Sequence, residues 1–452
     1  MIFEVQELST LFSDFRGAAT DRISINEIMT DTRKESSQSL FVPIIGESFD
    51  AHQFLAEAIK KGAVASLWQK DRELPAMIPT DFPVFFVEDT TKGLQDLASF
   101  YLNKISPKVV GVTGSNGKTT TKDMVASVLS THFKTHKTQG NFNNHIGLPL
   151  TILAMDQDTE ALVLEMGMDK AGEISVLSNL AHPDHAIITN IGESHIENLG
   201  SREAIAAAKL EITDGLQQNG RLIIDGDEPL LSSVKKQQST ITCGFNENNA
   251  YPIVVEELSD NRSVFSLTGH TYELPMAGRH NVKNACFVIA LAEQLGLTQE
   301  EVQKGFHQLE MSGMRFEKVE GLNHSLIIND AYNASPTSMK AVIEVIAQLT
   351  SKSKKVLILG DMFELGEQSE ELHESVAEAI DENIHALFTI GDHSEKISTA
   401  VSQNKPTIQT SHFKDKEALC HYVRPMLTSE TVVLIKASRG MKLEELLNEL
   451  TE

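Results

Sequence analysis

Lys108-Val109-Val110-Gly111-Val112-Thr113-Gly114-Ser115-Asn116-Gly117-Lys118-Thr119 is the stretch on which the fold turns. It begins as a short apolar strand and ends in a glycine-bearing loop. A helix follows, with Met124, Val125, Val128 and Leu129 at helical spacing. Strand, loop and helix in that order make an anion site, because backbone N–H groups and the positive end of the helix dipole converge on a phosphate. Gly114 and Gly117 let the backbone curl close to it. Lys118 can reach the outer phosphates of ATP, and the Thr119 hydroxyl can ligate magnesium. Thr113, Gly114, Ser115, Asn116, Gly117, Lys118 and Thr119 are therefore the expected ATP-binding loop. The general pattern asks for one more glycine, where Val112 stands. A loop of this kind serves kinases, GTPase switches and transport ATPases as readily as ligases. No guanine-specifying Asn/Thr-Lys-x-Asp motif follows on a later strand.

Outward from the loop, further buried-type strands appear at 162–164, 186–188 and 222–224, alternating with helical segments. That alternation predicts an α/β fold with a central parallel sheet covered by helices on both faces. On the N-terminal side lie strand-like runs at 40–45 and 84–87 and helices at 51–61 and 90–103. The break Ile105-Ser106-Pro107 marks a boundary, since the residue before proline disfavours helix. On the C-terminal side, past Gly313, strands read at 325–328, 355–359, 386–390 and 431–436, with a weaker one at 406–409. Helices read at 336–350, 369–380, 414–426 and 442–450, which predicts a separate Rossmann-like domain. Three domains are expected: 1–105, 106–313 and 314–452.

In an open parallel sheet, ligands bind beyond the carboxyl ends of the strands. Glu165 directly follows the 162–164 strand, and His195 follows the strand ending at Ile191. Both are placed to face the phosphate loop. Lys209 sits in a helical segment, within about 60° of Ile205 and Ile212 at helical spacing. A lysine on an apolar face either snorkels to solvent or is desolvated as a neutral amine, the form that reacts with carbon dioxide to give a carbamate. Helical geometry leaves both readings open.

Bulk composition narrows the class. The chain has 452 residues, 41% of them hydrophobic and 23% charged, with a net charge of -24. The acidic excess excludes a broad electrostatic grip on nucleic acid or anionic lipid, so an anionic substrate needs a local cationic pocket. Three cysteines, Cys243, Cys286 and Cys420, fit no metal-ligand spacing and point to a reducing cytoplasm. The first residues show no signal-peptide pattern, and no apolar run approaches the ~18 residues of a membrane helix.

The ordered motifs TGSNGKTTT (113–121), TQGNFNNHIGLP (138–149), LEMGM (164–168), NIGESHIENLG (190–200), AKLEI (208–212), GRHNVKNA (278–285), MRFE (314–317), NDAYNASPTSM (329–339), GDMFELG (360–366) and KASRGM (436–441) run through all three stretches. With them the chain resembles the Mur ligases of peptidoglycan synthesis. GNFNNHIGLP, DAYNASP and GDMFELG resemble the branch that joins D-alanyl-D-alanine to UDP-N-acetylmuramoyl-tripeptide. The sibling that adds the third amino acid carries an Asp-Asn-Pro-Arg-like motif that this chain lacks. The resemblance implies a cytoplasmic, monomeric ATP-dependent ligase working through an acyl phosphate. It implies an N-terminal domain for the UDP end, a central ATP domain and a C-terminal domain that closes with the amino component. Its partners would be UDP-N-acetylmuramoyl-tripeptide and D-alanyl-D-alanine, with no nucleic acid and no membrane insertion. Lys118, His195 and Lys209 are implied as catalytic. Thr119 and Glu165 are implied as ligands of one magnesium, and His195 and carbamylated Lys209 of a second. Asn281, Arg315, Asp330 and Asn333 are implied as nucleotide contacts, and Arg33, Asn141, Asn143 and Asn144 as substrate contacts. Arg33, Lys118, Arg279, Arg315, Lys436 and Arg439 would supply the local positive charge. The chain departs from the family pattern at His145, where glutamate is usual, and at Ala51, where glycine is usual.

Overall fold

Three large sheets and a two-stranded antiparallel pair, Phe3–Glu4 with Ser24–Ile25, carry the chain in the computed structural model, which describes residues 1–46 and 48–451. The first large sheet in chain order is built from β1 (Phe15–Arg16), β2 (Glu27–Met29), β3 (Ser39–Phe41), β4 (Ala63–Gln69) and β5 (Val84–Val87), in the order β1-β5-β4-β3-β2. Only β1 runs antiparallel. The expected 40–45 strand stops at Phe41, because Pro43 offers no N–H to a ladder. Helix α1 (Thr90–Ile105) follows, and the Asp89 side chain accepts from Thr91 N and Lys92 N, a cap worth about 1 kcal/mol. It ends at Ser106 in the left-handed region, directly before Pro107.

The second sheet has nine strands. They are β6 (Lys108–Thr113), β7 (Thr135–Lys137), β8 (Ala161–Glu165), β9 (His185–Ile188), β10 (Arg221–Asp225), β11 (Thr240–Gly244), β12 (Tyr251–Leu258), β13 (Ser263–Leu267) and β14 (His270–Leu274). Their order is β14-β13-β12-β11-β10-β9-β6-β8-β7. Neighbours from β7 to β12 are parallel. The hairpins β12-β13-β14 are antiparallel, so the sheet is mixed where a parallel one was expected. Ser263, Phe265 and Leu267 alternate inward, a period of two that marks these strands as half-buried. Helices α2 (Lys118–Leu129) and α4 (Arg279–Gln294) cover one face through Met124, Val125, Val128, Phe287 and Leu291. Helix α3 (Arg202–Leu210) packs Ile205 and Ala208 into the core on the other.

The third sheet holds β15 (Glu317–Glu320), β16 (Leu326–Asn329), β17 (Lys354–Gly360), β18 (Ala386–Ile390), β19 (Gln409–Phe413) and β20 (Thr431–Lys436), in the order β15-β16-β20-β17-β18-β19. All but the edge strand β15 are parallel. The weak strand expected at 406–409 lies later, after Pro406 and a turn from Ile408 N to Lys405 O. Helix α5 (Pro336–Gln348) starts at Ser335, whose side chain accepts from Ser338 N, with Pro336 preset for the first turn. The 442–450 segment opens as a 3-10 turn, and only Leu447–Leu450 is α-helical.

Candidate active site

β6 lies between β8 and β9, so the loop after it opens where the strand order reverses. Register sets Glu165 opposite Val112 and Ile188 opposite Thr113, which brings both neighbouring strand ends to the loop. The loop is stitched to β9 by Asn116 N to Asn190 Oδ1 (3.0 Å) and by Thr189 Oγ1 to the Asn116 carbonyl (2.6 Å). Gly114 has φ +146, and a Cβ there would lie 1.9 Å from Thr189 Oγ1. Lys118 Nζ folds back onto the Gly114 carbonyl at 2.8 Å. Burial pushes its ammonium below the usual lysine range, against the pull of Glu165. Thr119 Oγ1 donates to one Glu165 oxygen (2.8 Å), and Asn143 Nδ2 donates to the other (2.9 Å).

The third sheet contributes through the same strand-end logic. Asn329 pairs in register with Ile435, so Asp330 and Lys436 emerge side by side, and their charges meet at 2.6 Å. Lys436 also donates to the Asn333 carbonyl (2.9 Å), and Asp330 accepts from Phe316 N (3.0 Å). The Arg315 guanidinium lies 4.2 Å from the Tyr332 ring centroid. The second and third sheets touch through Ser335 Oγ to Asn116 Oδ1 (2.9 Å) and Thr337 Oγ1 to Glu193 (2.7 Å). A cavity of about 700 Å³ lies between them. Ser115, Asn116, Gly117, Lys118, Thr119, Asn143, Glu165, His195, Asn281, Arg315, Asp330 and Asn333 all line it.

The other expected site residues lie elsewhere. Thr113 is buried beneath the loop and donates to the Met166 carbonyl at 2.8 Å. Arg33 points outward and pairs with Asp31 at 2.7 Å. Asn141 is exposed, and Asn144 Oδ1 accepts from Ile146 N and Gly147 N, holding its own turn. Lys209 does not line the cavity; its side chain is 1% exposed, which excludes snorkelling. Burial first, and Lys118 second, push its amine well below the ordinary value of 10.5. Among the described residues its amine has no hydrogen-bond or ion-pair partner.

Residues 112–292 match the family model for the Mur ligase middle domain, and residues 314–439 match the one for the Mur ligase glutamate ligase domain. A UDP-N-acetylmuramoyl-tripeptide–D-alanyl-D-alanine ligase of Bacillus subtilis is 46% identical over 95% of this chain and 93% of its own. The chain belongs to the Mur ligase family. The crystal structure of MurF from Acinetobacter baumannii is 28% identical with a TM-score of 0.87, covering 99% of this chain and 98% of that one. MurF ligase from Thermotoga maritima, solved in complex with ADP, is 29% identical with a TM-score of 0.81, covering 94% and 96%.

In this Mur ligase the cavity also takes in Asp225, Phe245, His280 and Lys283, which sequence reasoning did not single out. Asp225 ends β10 and could have been found by the strand-end rule that found Glu165. Phe245 carried no local signal; it is placed by a cation–π contact from Arg279, 4.2 Å from its ring centroid. Glu193, Thr337 and Ser335 were equally hidden, because their importance lies in contacts made across two sheets. The donor chemistry suits magnesium at Thr119 and Glu165, a hydroxyl and a carboxylate beside a phosphate loop. A buried amine without a partner suits a carbamate at Lys209.

Proposed function

We propose that this chain joins D-alanyl-D-alanine to UDP-N-acetylmuramoyl-tripeptide at the expense of ATP, as an ADP-forming carbon–nitrogen ligase of peptidoglycan precursor synthesis. The observation that carries this reading is the single cavity where the phosphate loop, Glu165 and His195 meet Arg315, Asp330 and Lys436 of the third sheet. A free carboxylate is a poor electrophile. Its oxygen attacks the γ-phosphorus of ATP, ADP leaves, and an acyl phosphate forms. The dipeptide amine then attacks the acyl carbon, and inorganic phosphate departs with the tetrahedral intermediate's collapse. Lys118, at the cavity wall, stabilises charge developing on the transferred phosphoryl group. Asp330, steadied by Lys436, and Arg315, steadied by Tyr332, orient the nucleotide from the C-terminal side.

In this reading residues 1–105 hold the UDP end, with Arg33 contacting it, and Asn141, Asn143 and Asn144 of the central segment face the sugar-peptide. Residues 106–313 hold ATP, and residues 314–452 bring the amine. Magnesium, when bound at Thr119 and Glu165 and again at His195 and carbamylated Lys209, neutralises phosphate charge. No helix among the described residues is long and apolar enough to cross a membrane. The three cysteines are buried and unpaired, and we infer a cytoplasmic setting. Phosphate release from ATP and UDP-N-acetylmuramoyl-tripeptide, with D-alanyl-D-alanine against single amino acids, tests the proposal. Release is expected with the dipeptide; release with a lone amino acid and none with the dipeptide would overturn it.

A further inference from the structure

Glu364 lies in the loop after β17, on the side of the third sheet that meets the second. The loop is held from behind by its own domain. His373 Nε2 accepts from Met362 N at 2.9 Å, and Ser438 Oγ accepts from Phe363 N at 2.8 Å. Its front meets the central domain twice. The Glu364 carbonyl accepts from Glu197 N at 3.1 Å, and the Glu364 carboxylate contacts His195 Nδ1. Glu364 and His195 both sit in the left-handed region, at φ +62 and +65, a conformation that non-glycine residues keep only where surrounding contacts impose it. Asp169, from the loop after β8, adds a carboxylate oxygen 3.3 Å from the same Nδ1. His195, Asp169 and Glu364 each present one ligand atom, all within 4.8 Å of one another.

Asp169 and Glu364 carry like charges that converge on one imidazole, and a cation among them relieves their repulsion. Oxygen-rich donors with one imidazole suit a hard divalent cation such as magnesium or manganese. The set is split: two donors belong to the central domain and the third arrives only when the C-terminal domain is docked.

We propose that Glu364 completes the His195 cation centre from the C-terminal domain, so that cation binding there and domain closure reinforce one another. The proposal rests on the reading of His195 as a cation ligand. By linkage, whatever closes the domains tightens the ion, and the ion favours the closed form by the same factor. Asp169 and His195 join the carbamylated Lys209 of that reading on the central domain, and Glu364 adds one more donor when the C-terminal domain is docked.

The test is Mn²⁺ binding to the full chain, with and without the β,γ-imido analogue of ATP, together with solution scattering. Glu364 is half-exposed, so Glu364→Gln is not expected to disturb folding. With the analogue present, Glu364→Gln is expected to weaken one Mn²⁺ site about tenfold, leave the other unchanged, and shift compaction to higher Mn²⁺. Without the analogue it should match the wild type. His195→Ala should weaken the same site under both conditions. A Glu364→Gln isotherm that overlays the wild type while His195→Ala loses a site would overturn the proposal and leave the His195 reading standing. Overlay of both variants would overturn the His195 reading and the proposal with it.

Discussion

Lys209→Met offers a sharp trial of the chemistry, because stability and activity should move in opposite directions. The substitution keeps the length and apolar stem of the side chain and removes the amine. The Lys209 side chain is 1% exposed, and its amine has no hydrogen-bond or ion-pair partner among the described residues. Removing an amine whose desolvation already depresses its pKa should stabilise the fold. The pH dependence is more telling. Burial and Lys118 hold the folded-state pKa well below 10.5, so between the two values the unfolded chain binds the extra proton. Wild-type stability therefore rises with pH across that window, by about 1.4 kcal/mol per unit, and levels off above 10.5. Methionine has no such slope. The advantage of Lys209→Met should therefore shrink on going from roughly pH 8 to roughly pH 9.5. Urea unfolding of both proteins in carbon-dioxide-free buffer at the two pH values measures this. In the phosphate-release assay with bicarbonate present, Lys209→Met should lose nearly all turnover. A stability gap that stays constant with pH would refute the depressed amine. Near-normal turnover would refute the carbamate.

Two further substitutions probe the cavity. Lys118→Met should lower kcat by about a hundredfold to a thousandfold, the usual loss when a donor to developing negative charge is removed, with melting behaviour unchanged; phosphate release and a thermal melt report the two. Asn143→Ala frees one oxygen of Glu165 and should raise the magnesium requirement about tenfold. A magnesium titration checks this, and an unchanged requirement with a raised KM for the UDP substrate would make Asn143 a substrate contact instead.

What the sequence disclosed and what it withheld divide along one physical line. The phosphate loop was legible because its strand, glycines and helix are consecutive, and local chemistry suffices to bind an anion. Glu165 was legible because a strand's end in a parallel sheet has one destination, and register with Val112 brought it there. Asp330 and Lys436 came from motifs a hundred residues apart, and only the parallel pairing of β16 with β20 joins them into an ion pair. The hairpins β12-β13-β14 were missed because a search for strands alternating with helices passes over a period of two. The helix Glu395–Asn404 was missed with its exposed polar face, and its neighbour strand was misplaced by four residues or so as a result. Lys209 shows the limit from the other side. Helical spacing put it on an apolar face, but spacing cannot distinguish an amine that reaches water from one that does not. Packing around α3 decided that, leaving the Lys209 side chain 1% exposed. Glu364 lies further still from sequence reasoning, since neither its left-handed backbone nor its contact with His195 exists until two domains meet. Residues whose role is made by docking carry no local pattern, and in a Mur ligase whose cavity is lined from both the second and the third sheet they are where the remaining chemistry has to be sought.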